Sequence, residues 1–356
     1  LLGGSRVAID GTFLKADANL NSFHTRGSLA RYLKLLEEKI AAYHRQLDEA
    51  DAEEYAEGSE DPELAVKLEA LLERQQEKKA LQKRLLDSGA GQVSEVDADA
   101  RLLRKNGKTV GGYNYQIAVD ERHKLIVAED VVQDGNDTAQ LEPMMTKARE
   151  AMGSEGLVGL ADSGYFKGAQ LKGCEDKGME AYVPIPAQAV RQGRDGRFGS
   201  DDFRYDAQDD TYVCPAGERL ARGGSTSSRG RRYFFYRGTA AVCRDCSLSG
   251  RCLAKSRVTR RIHRWEHEDV IDRHRKKMSA DTPLMRGRSV LAEHPFGTLR
   301  RWAGMEHFLM RGLDKCRGEF SLMTLGYNFK RVMNLLGEAP FTEYCLQKQR
   351  LRTVGV

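Results

Sequence analysis

No apolar run in this sequence of 356 residues approaches the roughly 18 residues that a bilayer crossing needs, which excludes an α-helical membrane protein. A secretory signal is missing as well: Leu1-Leu2-Gly3-Gly4-Ser5-Arg6 has neither its basic nor its apolar region. No methionine begins the chain, so a fragment is expected. There is also no large excess of one charge, since the net value is only +5. The signs are unevenly placed, however. Asp48 to Glu69 is acidic, whereas Arg251 to Arg317 holds 17 Lys and Arg against 8 Asp and Glu. A basic stretch of that kind suits a polyanionic partner, because phosphate contacts supply most nonspecific nucleic-acid affinity. Seven cysteines without a secretion signal point to reduced thiols in a cytoplasmic setting, with metal binding favoured over disulfides.

What is present begins with apolar periodicity. The length exceeds that of one compact domain, so the chain is expected to form one large core with insertions, or two domains. Leu29, Leu33, Leu36, Ile40, Tyr43 and Leu47 recur at spacings of four and three and form one helical stripe. Asp61-Pro62 reads as an N-cap followed by proline at the first helical position, and Leu64, Leu68, Leu71, Leu72 and Leu85 continue a second helix up to Ser88-Gly89-Ala90-Gly91. Two such helices should fold back as a hairpin, because neither buries its stripe alone. Strands are expected at Gly111–Asp120, where Tyr113, Tyr115, Ile117 and Val119 alternate with other residues, and at Lys124–Val132. A helix over Thr138–Met152 shows Leu141, Met144, Met145 and Ala148 on one face, followed by a strand at Leu157–Ala161, a helix at Tyr165–Lys177 and a strand at Met179–Pro184. From Ala187 to Ser256 the composition turns to Arg, Gly, Ser and Asp, which implies an insertion with little core of its own. Beyond it, helices are expected at His263–Met278, Thr282–Leu291 and Glu319–Leu336, the last stopped by Gly337-Glu338-Ala339-Pro340.

Two aspartates stand where short apolar β-type runs meet small-residue turns: Asp10 in Val7-Ala8-Ile9-Asp10-Gly11-Thr12 and Asp162 in Leu160-Ala161-Asp162-Ser163-Gly164-Tyr165. Glu293, in Glu293-His294-Pro295-Phe296-Gly297-Thr298-Leu299-Arg300, adds a third acid. Three carboxylates on separate elements can form a hard-oxygen cage for two divalent cations, the arrangement that phosphodiester chemistry uses. Each acid alone can equally cap a local turn. Pro295 removes a helical N–H, so a kink or restart is expected between Pro295 and Gly297. Arg300 and Arg301 lie a turn or two past Glu293, within reach of phosphates. Asn114 and Gln116 share a strand face, where they can contact a base or phosphate or satisfy neighbouring backbone. Trp265 and Trp302 fall in basic surroundings, as stacking platforms or core residues.

Cys214, Cys243, Cys246 and Cys252 form Cys-x28-Cys-x2-Cys-x5-Cys within the polar insertion. Two thiolates at Cys-x2-Cys spacing can hold a tetrahedral Zn²⁺, and a closed four-thiolate site would be structural, supplying folding energy to a segment short of apolar residues. Free or redox-active thiols are the alternative. Cys174, Cys316 and Cys345 stand alone and read as core residues.

The order of these elements resembles a ribonuclease H-like α/β core: a mixed sheet flanked by helices, with an inserted helical hairpin and a small Cys-rich insertion. The four acid- and Tyr-bearing motifs, with the helical hairpin and the stretch Asp97-Ala98-Asp99-Ala100-Arg101, are similar to bacterial insertion-sequence transposases of the DDE type. The resemblance covers nearly the whole chain and implies domains at 1–20 (first core strand with Asp10), 21–95 (hairpin), 96–186 (central core), 187–260 (Cys-bearing insertion), 261–340 (helices with Glu293) and 341–356 (tail). It implies that Asp10, Asp162 and Glu293 are catalytic carboxylates binding two Mg²⁺, or Mn²⁺, for cleavage at element ends and attack of a freed 3′ hydroxyl on target DNA. The implied partners are double-stranded element ends and target, with a homodimer formed on DNA, in the bacterial cytoplasm and at the nucleoid when bound. Two departures are visible. Relatives carry Lys where Arg300 stands, and a helical DNA-binding region ahead of the first acid, where this chain has nine residues. A metal-dependent nuclease that does not join strands, or an inactive DNA-binding remnant of a mobile element, are the competing readings.

Overall fold

The computed structural model describes residues 4–54, 62–105, 107–189, 193, 196–254, 256–280, 282–302 and 304–353. In chain order the elements are β1 (Arg6–Lys15), β2 (Phe23–Thr25), α1 (Arg26–Glu54), α2 (Pro62–Asp87), β3 (Gln92–Ser94), β4 (Arg101–Lys105), β5 (Lys108–Asp120), β6 (Ile126–Val132), α3 (Leu141–Met152), β7 (Val158–Leu160), α4 (Gly168–Asp176) and β8 (Glu180–Tyr182). They continue with β9 (Arg204–Asp206), β10 (Thr211–Val213), β11 (Arg219–Ser228), β12 (Arg231–Arg237), α5 (Ala240–Arg244), α6 (Ser249–Cys252), β13 (Arg261–Trp265), α7 (Glu268–Ala280), α8 (Arg288–Trp302), α9 (Leu313–Leu336) and α10 (Glu338–Thr353). A six-stranded mixed sheet runs β4-β5-β1-β7-β8, with β6 paired to β5. β7 is parallel to β1 and to β8, whereas β4 is antiparallel to β5. This mixed α/β architecture agrees with the ribonuclease H-like class expected. No helix among the described residues is long and apolar enough to cross a membrane.

The chain divides into two compact units, one of residues 1–10, 118–128 and 137–293 and the other of residues 11–117, 129–136 and 294–356. In the first unit, α3 buries the face that its spacing selects, Leu141, Met144, Met145 and Ala148, against Val7, Ile9, Leu157 and Ala161. Each large apolar side chain removed from water there contributes about 1.5–3 kcal/mol. Gly159 in β7 admits α3 closely, since a β-carbon at that position would lie 2.8 Å from Met145 Sδ. Cys174 on α4 belongs to the same core, and burial pushes its thiol up to about 12. The expected helix over Tyr165–Lys177 is split: a 3₁₀ turn spans Ser163–Tyr165 and α4 begins at Gly168. The expected helix at His263–Met278 is corrected too. Its first residues form β13, because Ile262 and Trp265 pack inward from a strand, and α7 starts at Glu268.

The polar insertion holds the largest difference from expectation. It forms a five-stranded antiparallel sheet, β13-β12-β11-β10-β9, around its own core of Phe203, Tyr212, Leu220, Tyr236 and Ile262. These residues are scattered singly among Arg, Ser and Gly, yet strand alternation gathers them on one face. The Tyr205, Tyr212 and Tyr236 rings pack with centroids 5.0–6.0 Å apart, and the Tyr205 and Tyr236 hydroxyls both donate to Asp210 Oδ1, at 2.7 and 2.5 Å.

In the second unit, α1 buries Leu29, Leu33, Leu36 and Ile40 and half-buries Tyr43, and α2 packs against it. Leu81 and Leu85 of α2 join Leu29 and Val93 in a small cluster, while Leu72 is exposed. The Asp61 cap and the side chains of Leu47 and Leu64 lie outside the described residues. β1 does not end at Asp10 but continues to Lys15, because Gly11 leaves room for the Gln116 side chain and Gly112 admits the Leu14 carbonyl. β5 is buried on both faces from Gly111 to Ile117, not on alternate residues. Asp97 accepts hydrogen bonds from the Tyr113 hydroxyl at 2.8 Å and from Gly312 N, while Asp99 accepts from Leu313 N, so the Asp97–Arg101 stretch anchors the start of α9. α8 continues through Pro295 without the expected break. Gly337, at φ 80°, caps α9, but α10 follows at once where a tail was expected. Cys316 is buried as expected; Cys345, on α10, is exposed.

Candidate active site

The register of the parallel strands builds the site. Val7 pairs with Gly159 and Ala8 with Leu160, so Asp10 and Asp162 each stand two residues beyond a matched pair. Side chains alternate along a strand, so the two carboxylates emerge on the same side just past the last matched pair of the β1–β7 ladder, Asp10 within β1 and Asp162 beyond the end of β7, on strands about 4.8 Å apart. The C-terminal end of a parallel strand such as β7 is where ligands bind in open α/β sheets. Asp162 leaves β7 with extended backbone, and its Oδ1 accepts the Gly164 N–H at 2.7 Å, capping the 3₁₀ turn. A β-carbon on Gly164 would lie 2.9 Å from Asp162 Oδ1 and 3.7 Å from Asp137 Oδ2. A β-carbon in this turn would press on the Asp162 carboxylate, and Asp137 stands beside Asp162.

Four charges surround the Tyr165 hydroxyl. Burial, foremost, and then the carboxylates of Asp137, Asp10 and Asp162 raise its pKa well above the usual value, with Arg288 acting in the opposite sense. The phenol therefore keeps its proton. Arg288, at the start of α8, forms an ion pair with Asp10 at 3.6 Å, both side chains being largely enclosed. Its Nη1 is buried and makes no hydrogen bond among the described residues. Sequence reasoning missed both Asp137 and Arg288. The first lies in a polar loop ahead of α3, and nothing in one dimension distinguishes the second from the basic residues around it.

Glu293 is exposed on α8, and among the described residues no hydrogen bond or ion pair joins it to the two aspartates. Nor do three or more His, Cys, Asp or Glu side chains there stand together as a group able to hold a metal ion. The structure brings Asp10 and Asp162 together past the end of their shared ladder, and Glu293 lies on α8 five residues after Arg288, which pairs with Asp10. The donors at the strand edge are nevertheless hard carboxylate oxygens, which suit Mg²⁺ or Mn²⁺ in kind. Arg300 donates to Thr12 Oγ1 at 3.0 Å, and Arg301 is exposed.

The expected DNA contacts from Asn114 and Gln116 are corrected. Both side chains are completely buried in β5; Gln116 Nε2 donates to Asn114 Oδ1 at 2.9 Å and Asn114 Nδ2 to the Asp134 carbonyl. Their polarity is used to satisfy an enclosed sheet interior. Trp265 is buried, and the Trp302 side chain lies outside the described residues.

The four insertion cysteines line one cavity of about 430 Å³ together with Phe203, Leu220 and Arg260. All four are reduced and half-buried. Burial, and then the proximity of Cys214, Cys243 and Cys246, push the Cys252 thiol up. The Leu248 N–H points at Cys246 Sγ from 3.4 Å, the kind of backbone donor that supports a thiolate. Four soft sulfur donors around one space match Zn²⁺ in kind, although they do not form a ready cage.

A family model described as a transposase DDE domain matches residues 78–329 of the chain. The matched segment includes Asp162 and Glu293, while Asp10 precedes it. No curated protein and no solved structure matches the chain.

Proposed function

The chain belongs to the DDE transposase family, and on that footing we propose that it cuts DNA at the ends of an insertion sequence and joins the freed 3′ hydroxyls to a target. The observation that supports this reading is the β1–β7 register, which sets Asp10 and Asp162 side by side just past the last matched pair of the two parallel strands. In this reading Asp10, Asp162 and Glu293 hold two Mg²⁺ or Mn²⁺ ions, with Glu293 carried on the helix whose first residue already pairs with Asp10. When bound, the cations lower the pKa of an attacking hydroxyl and stabilise the departing oxygen. Arg288 balances the carboxylates until then. Tyr165, held neutral by burial and acidic neighbours, keeps an O–H able to donate a hydrogen bond in the site. Arg300, hydrogen-bonded to Thr12, and Arg301 hold phosphates.

Double-stranded element ends and target are the partners in this reading, and two copies assemble on them. Exposed Leu322, Leu325 and Phe329 along α9 support such an assembly. The Cys214, Cys243, Cys246 and Cys252 set holds a structural Zn²⁺, a role supported by the shared cavity and by the Leu248 N–H on Cys246. Incubating the chain with labelled element-end duplex, target DNA and Mg²⁺ tests the whole. Joined products are expected; cleavage without joining identifies a nuclease, and neither activity in the presence of binding identifies an inactive remnant.

A further inference from the structure

We propose that the outer face of the β11–β13 ribbon is a docking surface for the sugar-phosphate backbone of duplex DNA, with Arg237 and Arg261 at its centre. From Arg219 to Trp265 the sequence carries twelve arginines and one lysine, and Asp245 is its only acid. The sheet sorts these arginines by face. Arg222 and Arg264, opposite Tyr236 and Phe234, pair with Asp210 and Asp272. On the other face, Arg231, Arg237 and Arg261 form no ion pair among the described residues, nor does Arg229 in the exposed turn.

Arg237 and Arg261 stand directly opposite each other across the antiparallel pair. Like charges in that position are unfavourable unless an anion lies over them. Both groups are also held in place. The Phe235 ring lies over the glycine bulge, where a β-carbon on Gly223 would come within 2.5 Å of it and 3.4 Å of Arg237 Nε. Arg261 stacks on the same ring at 4.4 Å and is exposed to solvent. The pKa of His263, opposite Phe235, is lowered by desolvation and then by the Arg261 charge. Guanidiniums ordered on the face of an antiparallel sheet can contact a duplex backbone, and neighbouring phosphates supply the missing counter-charge.

The proposal rests on the reading of the chain as a DNA-processing enzyme, and binding measured apart from cleavage separates the two. In EDTA, anisotropy of a fluorescein-labelled duplex of about 30 base pairs is followed against salt for the full chain, Arg237→Gln/Arg261→Gln, Arg229→Gln and Asp10→Asn. The double variant should bind about tenfold or more weakly and its log-log salt slope should fall by about two, while Arg229→Gln loses about one. Arg237→Lys/Arg261→Lys should recover the slope. Asp10→Asn should bind like wild type whether or not the cleavage reading holds. Unchanged affinity and slope in both glutamine variants, each with a wild-type unfolding midpoint, would overturn the ribbon as the docking surface; should the double variant not fold, Arg229→Gln alone decides.

Discussion

Just past the paired stretch of β1 and β7 the chain crowds carboxylates, whereas across β12 and β13 it crowds guanidiniums, and the two regions handle their repulsion differently. Asp10 and Asp162 have internal counterweights: Arg288 at 3.6 Å from the first and the Gly164 N–H on the second. Arg261 has the face of Phe235, and neither it nor Arg237 forms an ion pair among the described residues. The difference teaches what each region is built for. A site that must position small cations to within a fraction of an ångström is preorganised by its own polar groups. A surface that grips a long polyanion can leave its charges exposed, because the ligand brings the compensation with it.

Removing one member of the acidic pair gives the largest expected effect. Asp10→Asn should reduce strand cleavage by about a thousandfold or more while leaving duplex affinity within about twofold, since metal-assisted activation is lost and the ribbon is untouched. Gel assays of cleavage beside anisotropy of binding check this, and a variant that still cuts DNA at the wild-type rate sinks the assignment. Gly164→Ala comes next. Its methyl group meets Asp162 Oδ1 at 2.9 Å, so the turn must shift and cleavage should fall by about ten- to a hundredfold, again without loss of binding.

Cys246→Ser reverses the pattern. Loss of a metal ligand should remove zinc from the protein, counted by elemental analysis, lower the unfolding midpoint and weaken duplex binding through the ribbon attached to the same sheet. Native chain isolated without zinc, and unaffected by chelator, would remove that distinction between the regions. The smallest effect concerns two histidines. Burial lowers the pKa of both His263 and His274, the latter bonded to the Val183 carbonyl at 2.7 Å. Because the unfolded chain takes up these protons more readily, stability is complete above the unfolded value of about 6.5 and declines as pH falls below it. Thermal unfolding between pH 8 and 5 should show this, with His274→Gln flattening the curve. DNA on the ribbon should raise the pKa of His263, by neutralising Arg261, and leave His274 unmoved, as histidine resonances in an NMR titration would report.

Much of the acidic region could be read directly. Leu141, Met144, Met145 and Ala148 announced α3 and its buried face, and the apolar runs before Asp10 and Asp162 marked β1 and β7. Such local patterns survive because period and burial coincide. The insertion could not be read, since its core consists of isolated aromatics whose alternation is interrupted by turns and by the bulge at Gly223. Whether Asn114 and Gln116 contact DNA or satisfy neighbouring backbone stayed open for a related reason: β5 is covered on both faces, and one strand does not disclose what lies above it.

Sequence by itself determined the helical hairpin, the order of strands and helices around the acids, and the family, because each depends on residues near one another along the chain. Tertiary structure alone decided that Asp137 and Arg288 join Asp10 and Asp162 and that Arg237 faces Arg261. Those pairings follow from strand register and helix packing. They bring together side chains far apart in sequence, whose proximity no local propensity encodes.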